Sequence, residues 1–242
     1  PGLPLVYASD NGFFPYGTKG EIELIARVDR VIRRLLERYP VDILVIACNP
    51  ASTLTLPHLR SQLRLPIVGV VPAIKPAAKL SQTGVIGLLA TPATVARPYT
   101  HELIREYAPH CDVISLGSSE LVQIAEQKLR GETIDENAIA RIVTELMRHE
   151  KAPLMDVLVL ACTHFPLLKE ELSLYLPETV QLIDSGEAIA RRVEYLLEGK
   201  INETDSHAGN IAVFTRETTE ARQLGAALAT FAIQKTHYLD FS

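Results

Sequence analysis

Val41-Asp42-Ile43-Leu44-Val45-Ile46-Ala47-Cys48 and Met155-Asp156-Val157-Leu158-Val159-Leu160-Ala161-Cys162 are two copies of one phrase. Five of the eight paired positions are identical, and the other three exchange one apolar residue for another. Continuous apolar runs of this length suit strands buried on both faces of a parallel sheet. Each copy ends in cysteine, then passes through a polar residue or two into a helical pattern. The echo implies two related α/β units. In parallel α/β sheets, ligands sit beyond the carboxyl ends of the strands. Both cysteines stand there, so two units facing each other would line one cleft with two thiols.

Working outward, Leu5 to Ala8 reads as a strand. Residues 20–39 read as a helix, with Ile22, Ile25, Val28, Ile32, Leu35 and Tyr39 recurring every three or four positions until Pro40 stops it. Further strands are expected at 67–71, 84–90, 112–116, 155–161, 180–183 and 210–214, with helical patterns between most of them. This order predicts an α/β fold with mainly parallel sheets covered by helices on both faces. Residues 200–209 are polar and read as a surface connection.

Bulk properties narrow the function. A chain of 242 residues suits one large domain or two small ones, and 47% hydrophobic residues suffice for a sizeable core. A net charge of −5 argues against nucleic-acid binding. Arg27, Arg30, Arg33, Arg34 and Arg38 read as the solvated face of a helix. No apolar run approaches the ~20 residues of a membrane span, and no secretory signal is recognised. Three cysteines give neither a disulfide framework nor a C-x-x-C zinc pair. A cytoplasmic protein with reduced thiols and no metal is expected. No P-loop or G-x-G-x-x-G segment is present.

Cys111 has no chemical surroundings and reads as a small core hydrophobe. Cys48 and Cys162 each precede a helix start, a setting expected to lower a thiol pKa. Two thiols placed alike suit a nearly symmetric reaction, such as removing a proton from one face of a carbon and returning one to the other.

Several stretches carry a family likeness. Asp10-Asn11-Gly12-Phe13-Phe14-Pro15-Tyr16-Gly17, Ala47-Cys48-Asn49-Pro50-Ala51-Ser52, Gly69 to Ala78, Gly87 to Val95, Leu160-Ala161-Cys162-Thr163-His164-Phe165-Pro166-Leu167-Leu168 and Asp184-Ser185-Gly186 follow in order. Together they resemble the aspartate/glutamate racemase superfamily over nearly the whole chain, closest to its glutamate branch. The resemblance implies glutamate as substrate, bound between two α/β domains with its α-carbon between the cysteines. One thiolate would remove the α-proton and the other thiol would deliver one, without pyridoxal phosphate, metal or nucleotide. It further implies domains of residues 1–72 plus 184–242 and of residues 73–183, and a role supplying D-glutamate for peptidoglycan. Some members of the branch are activated by a cell-wall precursor and many are homodimers; no sequence feature here fixes either.

By resemblance, His164 assists Cys162, while Tyr16, Gly17, Asn49, Pro50 and Thr163 line the substrate, and Asp10 supports the site. Glu126 matches a glutamate that hydrogen-bonds the histidine, or is an exposed helix carboxylate. Thr91 and Thr94 lie near the bound acid, or form the cap and first turn of the next helix. Asn49 could likewise cap its own helix.

Two departures bear on activity. The family's opening strand, ending in Asp-Ser, and the helix after it have no counterpart here. A truncated or incompletely given chain is expected, without a central strand and the helper carboxylate of Cys48. Pro50 stands where the family has threonine, which removes a donor near the substrate. The alternatives are a racemase of aspartate or another small acid, a cysteine hydrolase using Cys162 with His164, and a non-catalytic module that binds an acidic ligand.

Overall fold

The structure, a computed structural model, describes residues 3–198 and 209–239. The surface connection expected at 200–209 lies outside these residues except for Gly209. Strand β1 (Val6–Ser9) leads through 3-10 turns at Asn11–Phe13 and Tyr16–Thr18 into α1 (Glu21–Arg38). Then come β2 (Leu44–Ile46), α2 (Asn49–Gln62), β3 (Ile67–Gly69), α3 (Ile74–Leu80) and β4 (Val85–Ala90). Next are α4 (Pro92–Ala96), α5 (Pro98–Tyr107), β5 (Asp112–Gly117), α6 (Glu120–Leu129), α7 (Glu136–Met147) and β6 (Val157–Leu160). A 3-10 turn at Phe165–Leu168, α8 (Lys169–Ser173), β7 (Gln181–Ile183) and α9 (Gly186–Leu197) follow. The last elements are β8 (Asn210–Phe214), α10 (Thr219–Gln223), α11 (Gly225–Thr230) and β9 (Ile233–Tyr238).

Among the described residues the strands form three sheets, ordered β5-β4-β6-β7, β1-β8-β9 and β2-β3. Every pairing is parallel. The four-stranded sheet is covered on both faces, as its apolar strands require. Val85 and Leu89 of β4 face the cluster built with Leu121, Ile139 and Phe165, while Ile86 and Leu88 face Ile74, Ala77 and Leu103. Cys111 packs against the second cluster, as a small hydrophobe should.

Three local expectations change. The apolar run at 41–47 yields only Leu44–Ile46 as strand, because β3 pairs it over those three residues. Helix α1 turns Leu24, Val28, Val31 and Ile32 inward and leaves Ile22 87% exposed. Two apolar stripes were available to this helix, and the one containing Leu24 faces β2 and α2. After Cys162 the chain makes a 3-10 turn before the five-residue α8, with Pro166 in the turn's first positions. No helix among the described residues is long and apolar enough to cross a membrane.

Candidate active site

The two echoed segments meet. Each cysteine lies two residues beyond its strand, Cys48 after β2 and Cys162 after β6. The residue after each cysteine reaches the carbonyl before the other. Asn49 Nδ2 donates to the Ala161 carbonyl at 2.9 Å, and Thr163 Oγ1 donates to the Ala47 carbonyl at 3.2 Å. These reciprocal ties hold the two strand ends together. They also correct the capping role expected of Asn49. Cys48 is the N-cap residue of α2 and Asn49 the first helical residue, its side chain engaged across the site. The Asn49 Oδ1 is buried and without a hydrogen-bond partner in the protein, so one acceptor is left aimed at no protein group.

Cys48 departs from expectation. Burial pushes its thiol up to about 11, against the lowering effects of the Ala51 N–H and Arg97, and the nearby Cys162 adds to the rise. The helix start does stabilise the anion, but desolvation is the larger effect. At neutral pH Cys48 is therefore a thiol, ready to donate a proton.

Cys162 has a different neighbour. His164 Nδ1 lies 3.9 Å from Cys162 Sγ, and its Nε2 lies 2.8 Å from Glu126 Oε1 on α6. Burial alone would lower the imidazole. Hydrogen bonds to Cys162 and Glu126, with their charges, outweigh it and raise His164 to about 9. At neutral pH it is an imidazolium that can donate to sulfur on one side and carboxylate on the other. Glu126 is thus the histidine's partner and not a free helix carboxylate.

The Pro-Tyr-Gly segment closes another side. The Phe14–Pro15 peptide is cis, and the Phe14 ring lies 6.1 Å from the His164 ring. Tyr16 donates its hydroxyl to Asp10 Oδ2 at 2.9 Å. Asp10 also takes both arms of Arg27, at 2.9 and 2.7 Å, and the Thr215 hydroxyl at 2.6 Å. Burial works to raise the Asp10 carboxyl, but the hydrogen bonds from Arg27, Thr215 and Tyr16 hold it below the usual range. Gly17 sits so that an added Cβ would lie 3.8 Å from Thr91 Oγ1. Thr91 caps α4 by accepting from the Thr94 N–H, and Thr94 is buried. The cap-and-first-turn role is the one these two threonines show. Pro50 is buried in the first turn of α2.

Arg27 was expected on a solvated face and is instead 14% exposed in a bidentate ion pair. The signal was in the spacing: Leu24, Arg27, Val28 and Val31 share one side of α1. Two further arginines escaped the sequence. Arg97 pairs with Glu21 at 3.4 Å and keeps a buried Nε without a partner. Arg130 lies four residues after Glu126 and 3.6 Å from its Oε2. Taken together, the site offers one part-buried thiol, a second thiol beside a cationic imidazole, and a buried acceptor on Asn49 that no protein group uses.

Comparison with known proteins accords with this geometry. The family model for Asp/Glu/hydantoin racemases matches residues 1–193. A glutamate racemase of Escherichia coli O45:K1 is 48% identical over 234 residues, covering 97% of this chain and 81% of the relative. That of Salmonella typhimurium is 48% identical over 97% of this chain and 82% of the relative. The crystal structure of Escherichia coli glutamate racemase with L-glutamate and the activator UDP-MurNAc-Ala matches at a TM-score of 0.92. It shares 47% identity and covers 98% of this chain and 89% of that one.

Proposed function

The chain belongs to the Asp/Glu/hydantoin racemase family, and on that premise we propose that it interconverts L- and D-glutamate through Cys48 and Cys162. The observation that carries this reading is the reciprocal tie between the echoed strand ends, Asn49 to the Ala161 carbonyl and Thr163 to the Ala47 carbonyl. The tie supports a reading in which two thiols of matching placement, on two related units, serve one site.

In one direction Cys162, as thiolate, takes the α-proton while the Cys48 thiol gives its proton to the opposite face. The reverse reaction exchanges the roles, and no net proton is gained or lost. His164 and Glu126 hold a positive and a negative charge beside Cys162 and steady whichever form the sulfur takes. The unpartnered Asn49 Oδ1 suits the substrate ammonium, and N–H groups in the first turn of α2 suit a carboxylate. Positioned acid/base groups contribute about 10²–10⁴-fold each. The substrate lies between the domains formed by residues 1–72 with 184–242 and by residues 73–183. Its D-glutamate serves peptidoglycan synthesis in the cytoplasm. Activation by a cell-wall precursor extends to this chain what the Escherichia coli structure holds as its activator.

The test is α-proton exchange of D- and L-glutamate in deuterated water, with the parent, Cys48→Ser and Cys162→Ser. Racemisation by the parent and its loss in both variants is the expected result. Absence of exchange in a folded parent would overturn the proposal.

A further inference from the structure

Glu126 does not serve His164 alone. Its Oε1 takes the imidazole Nε2 at 2.8 Å, and its Oε2 lies 3.6 Å from Nη1 of Arg130, the residue that caps the C-terminus of α6. The same guanidinium is claimed from the other side. Its Nε and Nη2 grip both oxygens of Glu132 at 2.6 and 3.1 Å. Cys162, His164, Glu126, Arg130 and Glu132 therefore form one chain of alternating charge, running from the reacting sulfur to the surface. Glu132 is 39% exposed, while Arg130 at 14% and Glu126 and His164 at 23% and 24% are part-buried, so the chain ends at the surface on the Glu132 side.

Building on the racemase reading, we propose that Arg130 is a positioning residue for the Cys162 half of the reaction, and that Glu132 sets how much of its charge Glu126 feels. A carboxylate pulled toward Arg130 has less to offer His164, and an imidazolium with a weaker partner gives up its proton more readily. Glu132 opposes this by neutralising Arg130 and holding two of its three nitrogens. Other titratable groups face this chain. Tyr7 on β1 feels the Glu126 charge, and Glu220 on α10 faces Arg130. Beside it, Lys128 binds Glu171 and the Leu167 carbonyl, fixing α6 against the turn that follows His164. Neither Lys128 nor Glu171 makes a hydrogen bond or ion pair with Glu126 or His164 among those the structure shows.

Two variants pull in opposite directions. Arg130→Met leaves Glu126 wholly to His164 and removes a repelling cation, so the His164 pKa rises. Glu132→Gln frees Arg130 to draw on Glu126, so it falls. Each shift should be roughly half a unit, the size expected of one charge at this remove in a partly screened site. Arg130→Lys keeps the cation and should stay near the parent. The imidazole titration of each protein is followed by NMR without substrate, and the pH profile of kcat/KM is measured beside it. The NMR arm needs no turnover, so failure of racemisation and failure of this proposal are separable. Opposite shifts for Arg130→Met and Glu132→Gln, mirrored in the profile, are the expected result. Unmoved titrations, or shifts of one sign in both variants, would overturn it.

Discussion

Pro50 is the residue at which this chain most plainly departs from the motif it resembles. It sits buried in the first turn of α2, where proline's fixed φ is favourable and its missing N–H costs the helix nothing. If substrate binds at this turn as proposed, the cost falls on it, because the turn beside Cys48 has one donor fewer. Pro50→Thr should lower KM for glutamate with little change in kcat. A regained hydrogen bond to a charged group is worth about 1.5–3 kcal/mol, which is roughly ten- to a hundredfold. Steady-state kinetics on the two proteins decide it, and an unchanged KM would mean that residue 50 does not face the ligand. Arg27 gives a prediction of another kind. It is the bidentate partner of Asp10, whose side chain is 5% exposed and also anchors Tyr16. Arg27→Met leaves a buried carboxylate short of its main partner, at about 3–5 kcal/mol. Since Asp10 is held below its ordinary range, its contribution is complete above the unfolded pKa of about 3.9 and is lost as pH falls through the lower folded value. In the variant the folded value rises toward the unfolded one, because burial is no longer offset by Arg27, so little of this stability is left to lose on acidification. Urea midpoints from pH 3 to 7 should show the parent's advantage largest near neutrality and the two curves converging toward acid, and parallel curves would speak against the pairing.

At the scale of elements, much of the architecture was legible because hydrophobic period and chain order carry it. The four-stranded sheet follows from apolar runs whose neighbours on both faces are helices, and β8 occupies the residues expected of it. What escaped was whatever depended on a partner. Strand β9, Ile233-Gln-Lys-Thr-His-Tyr, is an edge strand with only Ile233 buried, so it shows no apolar pattern until β8 supplies its ladder. Cys48 reads as an activated thiol from its place before a helix, since burial, which dominates, is a property of the folded site. Element packing also places the threonines. A Cβ on Gly117, at the end of β5, would lie 2.8 Å from the Pro92 Cα, which is backbone and has no easy retreat. Gly117→Ala should therefore push α4 away, disturb Thr91 opposite Gly17, and cost about 1–3 kcal/mol as overpacking does. Gly20→Ala, where nothing lies within 4 Å, is the control and should stay within about 0.5 kcal/mol. Thermal unfolding with KM measurement compares them, and equal effects would remove the steric argument.

Across the whole molecule, cohesion is uneven, and the site sits on the boundary. The sheet β5-β4-β6-β7 is packed on both faces by two large apolar clusters. The pair β2-β3 has three residues per strand and one smaller cluster with α1 and α2. A two-stranded sheet of that length has little stability of its own. It is attached to the rest by α9 packing on β3, by α2 packing on α4, and by α1, whose Arg27 binds Asp10 at the end of β1 and whose neighbour Tyr39 meets His237 of β9 at 2.6 Å. The attachment also runs through the two ties at the cysteines, Asn49 to Ala161 and Thr163 to Ala47. Cys162 is thus carried by the larger apolar packing and Cys48 by the smaller one, so a ligand bound between them, as proposed, should do part of the holding. Hydrogen exchange tests this directly, because opening free energies differ among such units. Without ligand, amides of β4 and β6 should exchange orders of magnitude more slowly than those of β2 and the first turns of α2. Glutamate at about a hundred times its Kd supplies roughly 2.7 kcal/mol to any opening that releases it. That slows exchange about a hundredfold in β2 and α2. It leaves β4 and β6 unchanged if they open without disturbing the ligand. Uniform protection along the chain, or ligand protection spread equally over all three sheets, would mean that the molecule opens as one body and that the Cys48 side is as firm as its counterpart.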